Sequence, residues 1–233
     1  MRSEVRDVQK SGEVVRMKNV LCYGDSNTWG YIPGKGGERY DWKTRWTGRL
    51  QDLLGDDCHV IEEGLNSRTT VFDDPVKGYK SGLAYLPPCL ASHKPLDLVI
   101  VMLGTNDLHE RFGMNAYNVG EAMKRLVEEI LHSGCGADGK APAVLLVSPV
   151  RILETVMDNF IGQEMGASCV EKSRGLSQQI KRIADLEGIS FFDAESAVCA
   201  DPADGVHMNS DAHAALAGAL CPVVQKILRN VSK

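Results

Sequence analysis

Six consecutive apolar residues, Leu98-Val99-Ile100-Val101-Met102-Leu103, constrain the fold of this 233-residue chain more than any other segment. A strand with one wet face alternates apolar and polar side chains; a strand covered on both faces reads as an unbroken apolar run. Residues 97–103 are therefore expected to form a central parallel strand. Shorter apolar runs at 20–23, 58–62, 143–147 and 189–192 read as four more strands.

Helical patterns alternate with these runs. Between the first and second, Trp46, Leu50, Leu53 and Leu54 share a stripe over 44–54, and Gly55 stops it. After the third, Asn118 and Glu121 resemble a capping box ahead of the periodic Ala122, Met123, Leu126, Val127, Ile130 and Leu131. After the fourth, Ser168 and Glu171 open a helix expected to run to about Glu187, with Gly188 as its stop. The last helix is expected from near Ser210 to about Asn230, with Pro222 kinking it or removing one hydrogen bond. Strand and helix in alternation predict an α/β fold, a parallel sheet with helices on both faces. In the common strand order 2-1-3-4-5, the crevice that binds ligands lies between the carboxyl ends of the first and third strands.

Two motifs occupy those ends. Gly24-Asp25-Ser26-Asn27 follows the first strand, and Gly104-Thr105-Asn106-Asp107 follows the third. Near the C-terminus, Asp204 and His207 stand three residues apart. Each residue alone has a plain reading: serine caps helices, asparagine sits in turns, and Asp-Gly is a solvated loop. Together they supply a nucleophile, an amide donor, and an acid that can orient a base. Of the other five histidines, His59 and His132 look surface-like, whereas His93, His109 and His213 are not dismissed by pattern. Gly134-Cys135-Gly136-Ala137-Asp138-Gly139 matches G-x-G-x-x-G but follows a helix and precedes a strand, the reverse of the dinucleotide context. Gly34-Lys35-Gly36-Gly37 lacks the ending of a phosphate loop, and Thr28 replaces the second glycine of a nucleophile elbow.

Composition narrows the class further. A net charge of −5 offers no footprint for a phosphate backbone, which argues against nucleic-acid binding. Seven cysteines, odd in number and without a C-x-x-C pair, suit a reducing compartment, the cytoplasm, and show no zinc spacing. The charged stretch before Met17 is neither a secretion signal nor a membrane anchor, and residues 1–16 are expected to be a flexible extension. Residues 17–233 then form one domain.

Gly24-Asp25-Ser26, Asn106 within Gly-Thr-Asn-Asp, and Asp204-x-x-His207 resemble the signature blocks of the SGNH (GDSL) hydrolase family. Arg45-Trp46-Thr47-Gly48, Val60-Ile61-Glu62-Glu63-Gly64-Leu65 and Asp97-Leu98-Val99-Ile100 extend the likeness to its arylesterase/acyltransferase branch, over most of 18–230. The resemblance implies a flavodoxin-like three-layer sandwich, no cofactor or metal, and homo-oligomers that narrow access to the serine. It also implies a triad of Ser26, His207 and Asp204, with an oxyanion hole from the N–H groups of Ser26 and Ser67 and the Asn106 amide. The family normally has a glycine where Ser67 stands. If that position needs positive φ, Ser67 carries strain.

The activity implied is that of a serine esterase acting through an acyl-enzyme, with water or an alcohol as acceptor. Asp25, Asn27, Trp29, Thr105 and Leu108, next to the motifs, are expected to line a small pocket suited to acetyl-type groups. A carbohydrate O-acetyl esterase is the nearest alternative. More distant are thioesterases, a phosphate-binding α/β protein and a non-catalytic module on the same scaffold.

Overall fold

The computed structural model describes residues 8–10 and 13–231. Five strands form one parallel sheet: β1 (Lys18–Gly24), β2 (Cys58–Gly64), β3 (Leu98–Met102), β4 (Ala143–Ser148) and β5 (Ser190–Asp193). Their spatial order is β2-β1-β3-β4-β5, the order expected. The extension expected over 1–16 lies partly outside the described residues. Within it, Val8–Lys10 and Glu13–Val15 pair as a separate antiparallel ladder. Arg16 then reaches back to the buried Asp97 carboxylate at 2.6 Å.

Alternate side chains of the central strands feed two cores. Leu21, Tyr23, Val99, Val101, Val144 and Leu146 face one way, toward helices α3 (Gly82–His93), α4 (Ala116–His132) and α7 (Leu176–Glu187). Val20, Cys22, Leu98, Ile100, Leu145 and Val147 face the other, toward α2 (Trp46–Leu54) and α8 (Ser210–Val231). Residues 98–101 of β3 are wholly buried, the physical reason its sequence carries no alternation. Among the described residues no helix is long and apolar enough to cross a membrane.

Two helix expectations need correction. The cap of α4 is Asn115, whose side chain accepts from the Asn118 N–H, so the helix starts before Asn118 rather than at it. The segment after Ser168 is two helices, α6 (Cys169–Ser173) and α7, parted at Gly175. There the chain passes so close to Ala116 that a β-carbon on residue 175 would lie 2.9 Å from the alanine methyl. In α8 the helix continues through Pro222, which forgoes only the bond its missing N–H cannot make.

The register sets up the site. Gly24 of β1 lies opposite Gly64 of β2 and Met102 of β3, so three strands end level. A one-turn helix α1 (Ser26–Trp29) sits directly on these ends. A β-carbon at Gly64 would lie 2.2 Å from the Trp29 nitrogen, and one at Gly24 would lie 2.0 Å from the Thr28 hydroxyl. Only glycine permits that approach.

Candidate active site

Ser26 is the first residue of α1, and Asp25 caps the helix by accepting from the Asn27 N–H at 3.0 Å. His207 arrives on the loop before α8. Its Nε2 lies 2.9 Å from Ser26 Oγ, and its Nδ1 lies 2.8 Å from Asp204 Oδ2. Asp204 Oδ1 accepts from the N–H groups of Val206 and His207, both at 2.9 Å, so the carboxylate organises the loop that presents the ring. Burial raises the Asp204 carboxyl's pKa, but the His207 ring and these N–H donors outweigh it and hold it below the usual carboxylate range. Because a carboxylate only accepts, Nδ1 is the protonated nitrogen and Nε2 is free to accept from serine.

Asn27 joins the two motifs. Its Oδ1 accepts from the Met208 N–H at 2.9 Å, and its Nδ2 donates to the Val206 carbonyl at 3.2 Å. One side chain thereby fixes the histidine loop to the nucleophile helix, 181 residues apart in sequence. Tyr31 adds a wall, its ring stacked on His207 with centroids 4.1 Å apart.

On the opposite side, Asn106 and Ser67 line the same cavity as Ser26 and His207. Asn106 Nδ2 donates to the Arg68 carbonyl at 3.0 Å and has only a 3.4 Å contact with Asp25 Oδ2 beyond that. Ser67 has φ +64°, the left-handed conformation that glycine adopts without cost. A serine in that conformation carries strain.

The cavity holds about 90 Å³. It is not lined by the residues expected from their place beside the motifs. Asp25 and Asn27 are buried in capping and loop bonds, and Thr105 and Leu108 are buried, Leu108 in the core beneath. Trp29 lies under the Arg39 guanidinium, which stacks 4.8 Å from its ring. Thr105 and Leu108 thus point into the protein, and Trp29 is half-buried away from the cavity. The lining comes instead from Tyr31, Lys77, His109, Val206 and the short helix α5 (Phe160–Met165). Except for Val206, inside the Asp204-x-x-His207 block, no motif marks these residues; the Asn159 cap before α5 is a further local signal.

His109 is buried, and burial holds its pKa below the ordinary imidazole value. Its Nδ1 donates to the Asn106 carbonyl at 2.7 Å, which steadies the residue bearing the amide. Lys77 pairs with Glu164 at 2.6 Å at the rim. A larger cleft of about 530 Å³, lined by Glu63, Arg68, Tyr79 and Tyr85, lies beyond residues 65–68 and contains no triad residue. Size does not decide here, because Ser26 and His207, 2.9 Å apart, share the smaller cavity.

Known proteins share this fold. Residues 22–215 match the profile of the GDSL-like Lipase/Acylhydrolase family. The chain belongs to that family. Among solved structures, it is 40% identical to Est24, a carbohydrate acetylesterase from Sinorhizobium meliloti, with 90% of this chain and 99% of that one covered and a TM-score of 0.85. It is also 40% identical to the M. smegmatis aryl esterase, with the same coverage and TM-score. A lipolytic G-D-S-L family protein from Veillonella parvula, 18% identical over 90% of this chain and 99% of that one with a TM-score of 0.64, shares the fold. No curated protein matches.

Proposed function

We propose that this GDSL-family carboxylic ester hydrolase cleaves short-chain, acetyl-type esters through an acyl-enzyme on Ser26. The observation that carries the reading is the continuous relay Asp204–His207–Ser26, with contacts of 2.8 and 2.9 Å, opening on a cavity of about 90 Å³. A space that small suits an acetyl group rather than a long acyl chain.

Ser26 Oγ attacks the ester carbonyl carbon while its proton passes to His207 Nε2. Asp204, kept ionised, stabilises the imidazolium. The carbonyl oxygen becomes negative and takes hydrogen bonds from the Ser26 and Ser67 N–H groups and the Asn106 amide. As the tetrahedral intermediate collapses, the C–O bond to the alcohol breaks and His207 returns the proton to the leaving oxygen. Water then attacks the acyl-enzyme, His207 takes its proton, and serine leaves with its hydroxyl restored. An alcohol in the same place gives acyl transfer. Nothing in this cycle calls for a cofactor.

The likeness to a carbohydrate acetylesterase supports a second reading, deacetylation of sugars. Lys77, Glu164 and Tyr31 at the mouth offer hydrogen bonds that a phenyl ester does not use. We also infer homo-oligomers, since Val76, Tyr79 and Phe160 are 75%, 93% and 61% exposed near the cavity and the larger cleft. The scattered free cysteines support a reducing, cytoplasmic setting.

A series of p-nitrophenyl esters from acetate to octanoate tests the reading, repeated with added alcohol and with an acetylated oligosaccharide. Acetate is expected to lead in kcat/KM, with a burst of nitrophenol at enzyme stoichiometry if deacylation limits. Ser26→Ala is expected to lose about 10³-fold or more in kcat. Full activity in that variant, or a preference for octanoate, is the result that defeats it. Sedimentation at low concentration checks the oligomer, and fractionation of the source cells checks the compartment.

A further inference from the structure

Away from the catalytic cavity, three side chains have the make-up of a metal-binding set. Glu63 is the penultimate residue of β2, and Cys89 and His93 lie four apart on α3, hence on one face of that helix. A carboxylate oxygen of Glu63, Cys89 Sγ and a ring nitrogen of His93 all lie within 4.8 Å of one another. His93 Nε2 and Glu63 Oε1 are already 2.9 Å apart. We propose that Glu63, Cys89 and His93 bind one divalent transition-metal ion of the zinc type, with the fourth position left to water.

The plainer reading is an ion pair beside a core thiol. Against it stands the company of the thiol: one side of Cys89 meets Leu86 and Leu90 in the core, but its sulfur shares a 4.8 Å sphere with an acid and an imidazole. One sulfur, one nitrogen and one oxygen make a donor set that favours zinc-like ions over calcium or magnesium. In a tetrahedral site with metal–ligand bonds near 2.0–2.3 Å, neighbouring donors sit about 3.5 Å apart. The three atoms therefore need to shift by roughly 1 Å. The side chains that must move are the accessible ones, His93 at 31% and Glu63 at 20% exposed, and they also provide the route in from solvent. On binding, the Cys89 thiol gives its proton to solvent, and the thiolate and Glu63 balance the two positive charges. Because the third ligand comes from a strand 26 residues before Cys89, no spacing in the sequence marks the set.

The position gives the ion a structural consequence. Glu63 immediately precedes Gly64 and the loop that carries Ser67, and Arg68 in that loop donates to the Glu63 carbonyl. A bound ion ties α3 to the strand end from which the loop departs, without touching the reacting atoms.

The test is cobalt titration of the full-length protein after chelator treatment and desalting. Both it and its variants carry Cys199→Ser, because Cys199 is an exposed thiol. We expect thiolate-to-cobalt charge-transfer absorption that saturates at one ion per chain, is displaced by zinc, and accompanies a rise in Tm. Cys89→Ser is expected to lose that absorption, and His93→Gln, which keeps a donor for Glu63, to weaken binding about 10-fold or more. Absence of charge-transfer absorption in the parent overturns the proposal, as does its survival in Cys89→Ser. If Cys89→Ser does not fold, His93→Gln decides: unchanged cobalt affinity overturns the site, and weakened affinity supports it.

Discussion

Lys77 Nζ donates to Ser67 Oγ at 2.9 Å while it pairs with Glu164 at 2.6 Å, so a residue with φ +64° is held by a side chain anchored across the cavity. The role proposed for Ser67 in the oxyanion hole falls to its backbone N–H. Ser67→Gly relieves the strain of a non-glycine residue in the left-handed region and keeps that donor. The larger freedom of glycine in the unfolded chain offsets the gain, leaving stability within about 1 kcal/mol of the parent. Its kcat is expected to stay within about threefold, whereas Ser67→Val, β-branched at positive φ, is expected to lose both Tm and kcat. Thermal melts and phenyl acetate kinetics on the two variants check this. Equal behaviour of glycine and valine would show that the conformation of residue 67 does not matter.

Asn106 bears on a different part of the reaction. Its amide is anchored to the Arg68 carbonyl and faces the cavity from the end of β3. Charge on the substrate oxygen develops only in the transition state, so Asn106→Ala is expected to lower kcat by about 100- to 1,000-fold with little change in KM. A variant that raises KM and leaves kcat intact would assign the amide to ground-state binding.

How far such residues can be read from sequence depends on whether their neighbours in space are also neighbours in the chain. The strands were legible because β3 is covered on both faces, and a covered strand must be apolar throughout. Ser26 and Asn106 were legible because loops at level strand ends meet whatever their separation in sequence, and His207 because an acid, Asp204, stands three residues before it. The pocket was not. Thr105 and Leu108 turn into the protein and Trp29 packs under Arg39, while Lys77 and α5 come from connections with no periodic signal. Helix α3 was equally hidden. Pro87 and Pro88 within it speak against a helix locally, yet Leu86 and Leu90 pack into the core and the Tyr23 hydroxyl donates to the Gly82 carbonyl at 2.7 Å. Tertiary packing outweighs propensity there.

Asn27 is expected to act on the triad by positioning. Its side chain bonds to the backbone on either side of His207, to the Val206 carbonyl and the Met208 N–H, and not to Ser26 Oγ or the imidazole. Asn27→Ala leaves the Met208 N–H and the Val206 carbonyl unpaired in a buried setting, costing about 1–3 kcal/mol of stability. Freed from this tie, the imidazole wanders, and a displacement of about 1 Å lowers kcat about 100-fold. Asn27→Asp keeps an acceptor for the Met208 N–H and is expected to recover part of the loss. A drop in Tm with kcat unchanged in Asn27→Ala would make the residue structural only.

Asp107 gives the fold a pH dependence whose sign is fixed by burial. The carboxyl is wholly enclosed, which raises its pKa from 3.8 to about 6 despite hydrogen bonds from the Thr70 N–H and hydroxyl. In the unfolded chain it ionises near pH 4, so between about pH 4 and 6 the folded state keeps a proton that the unfolded state has lost. Stability therefore falls as pH rises through that window and levels off above it, by an amount of order 3 kcal/mol. Asp25, also raised to about 6 by burial, acts in the same direction. His213, lowered to about 3 by burial and by Arg49 and Arg45, acts in the opposite one, so the net profile of the parent does not isolate Asp107. Asp107→Asn does, because the amide still accepts from the Thr70 N–H and never ionises. Relative to the parent, its Tm is expected to be about 5 °C more favourable at pH 7 than at pH 4.5. A Tm difference between variant and parent that is the same at both pH values would mean that residue 107 enters the native state already ionised.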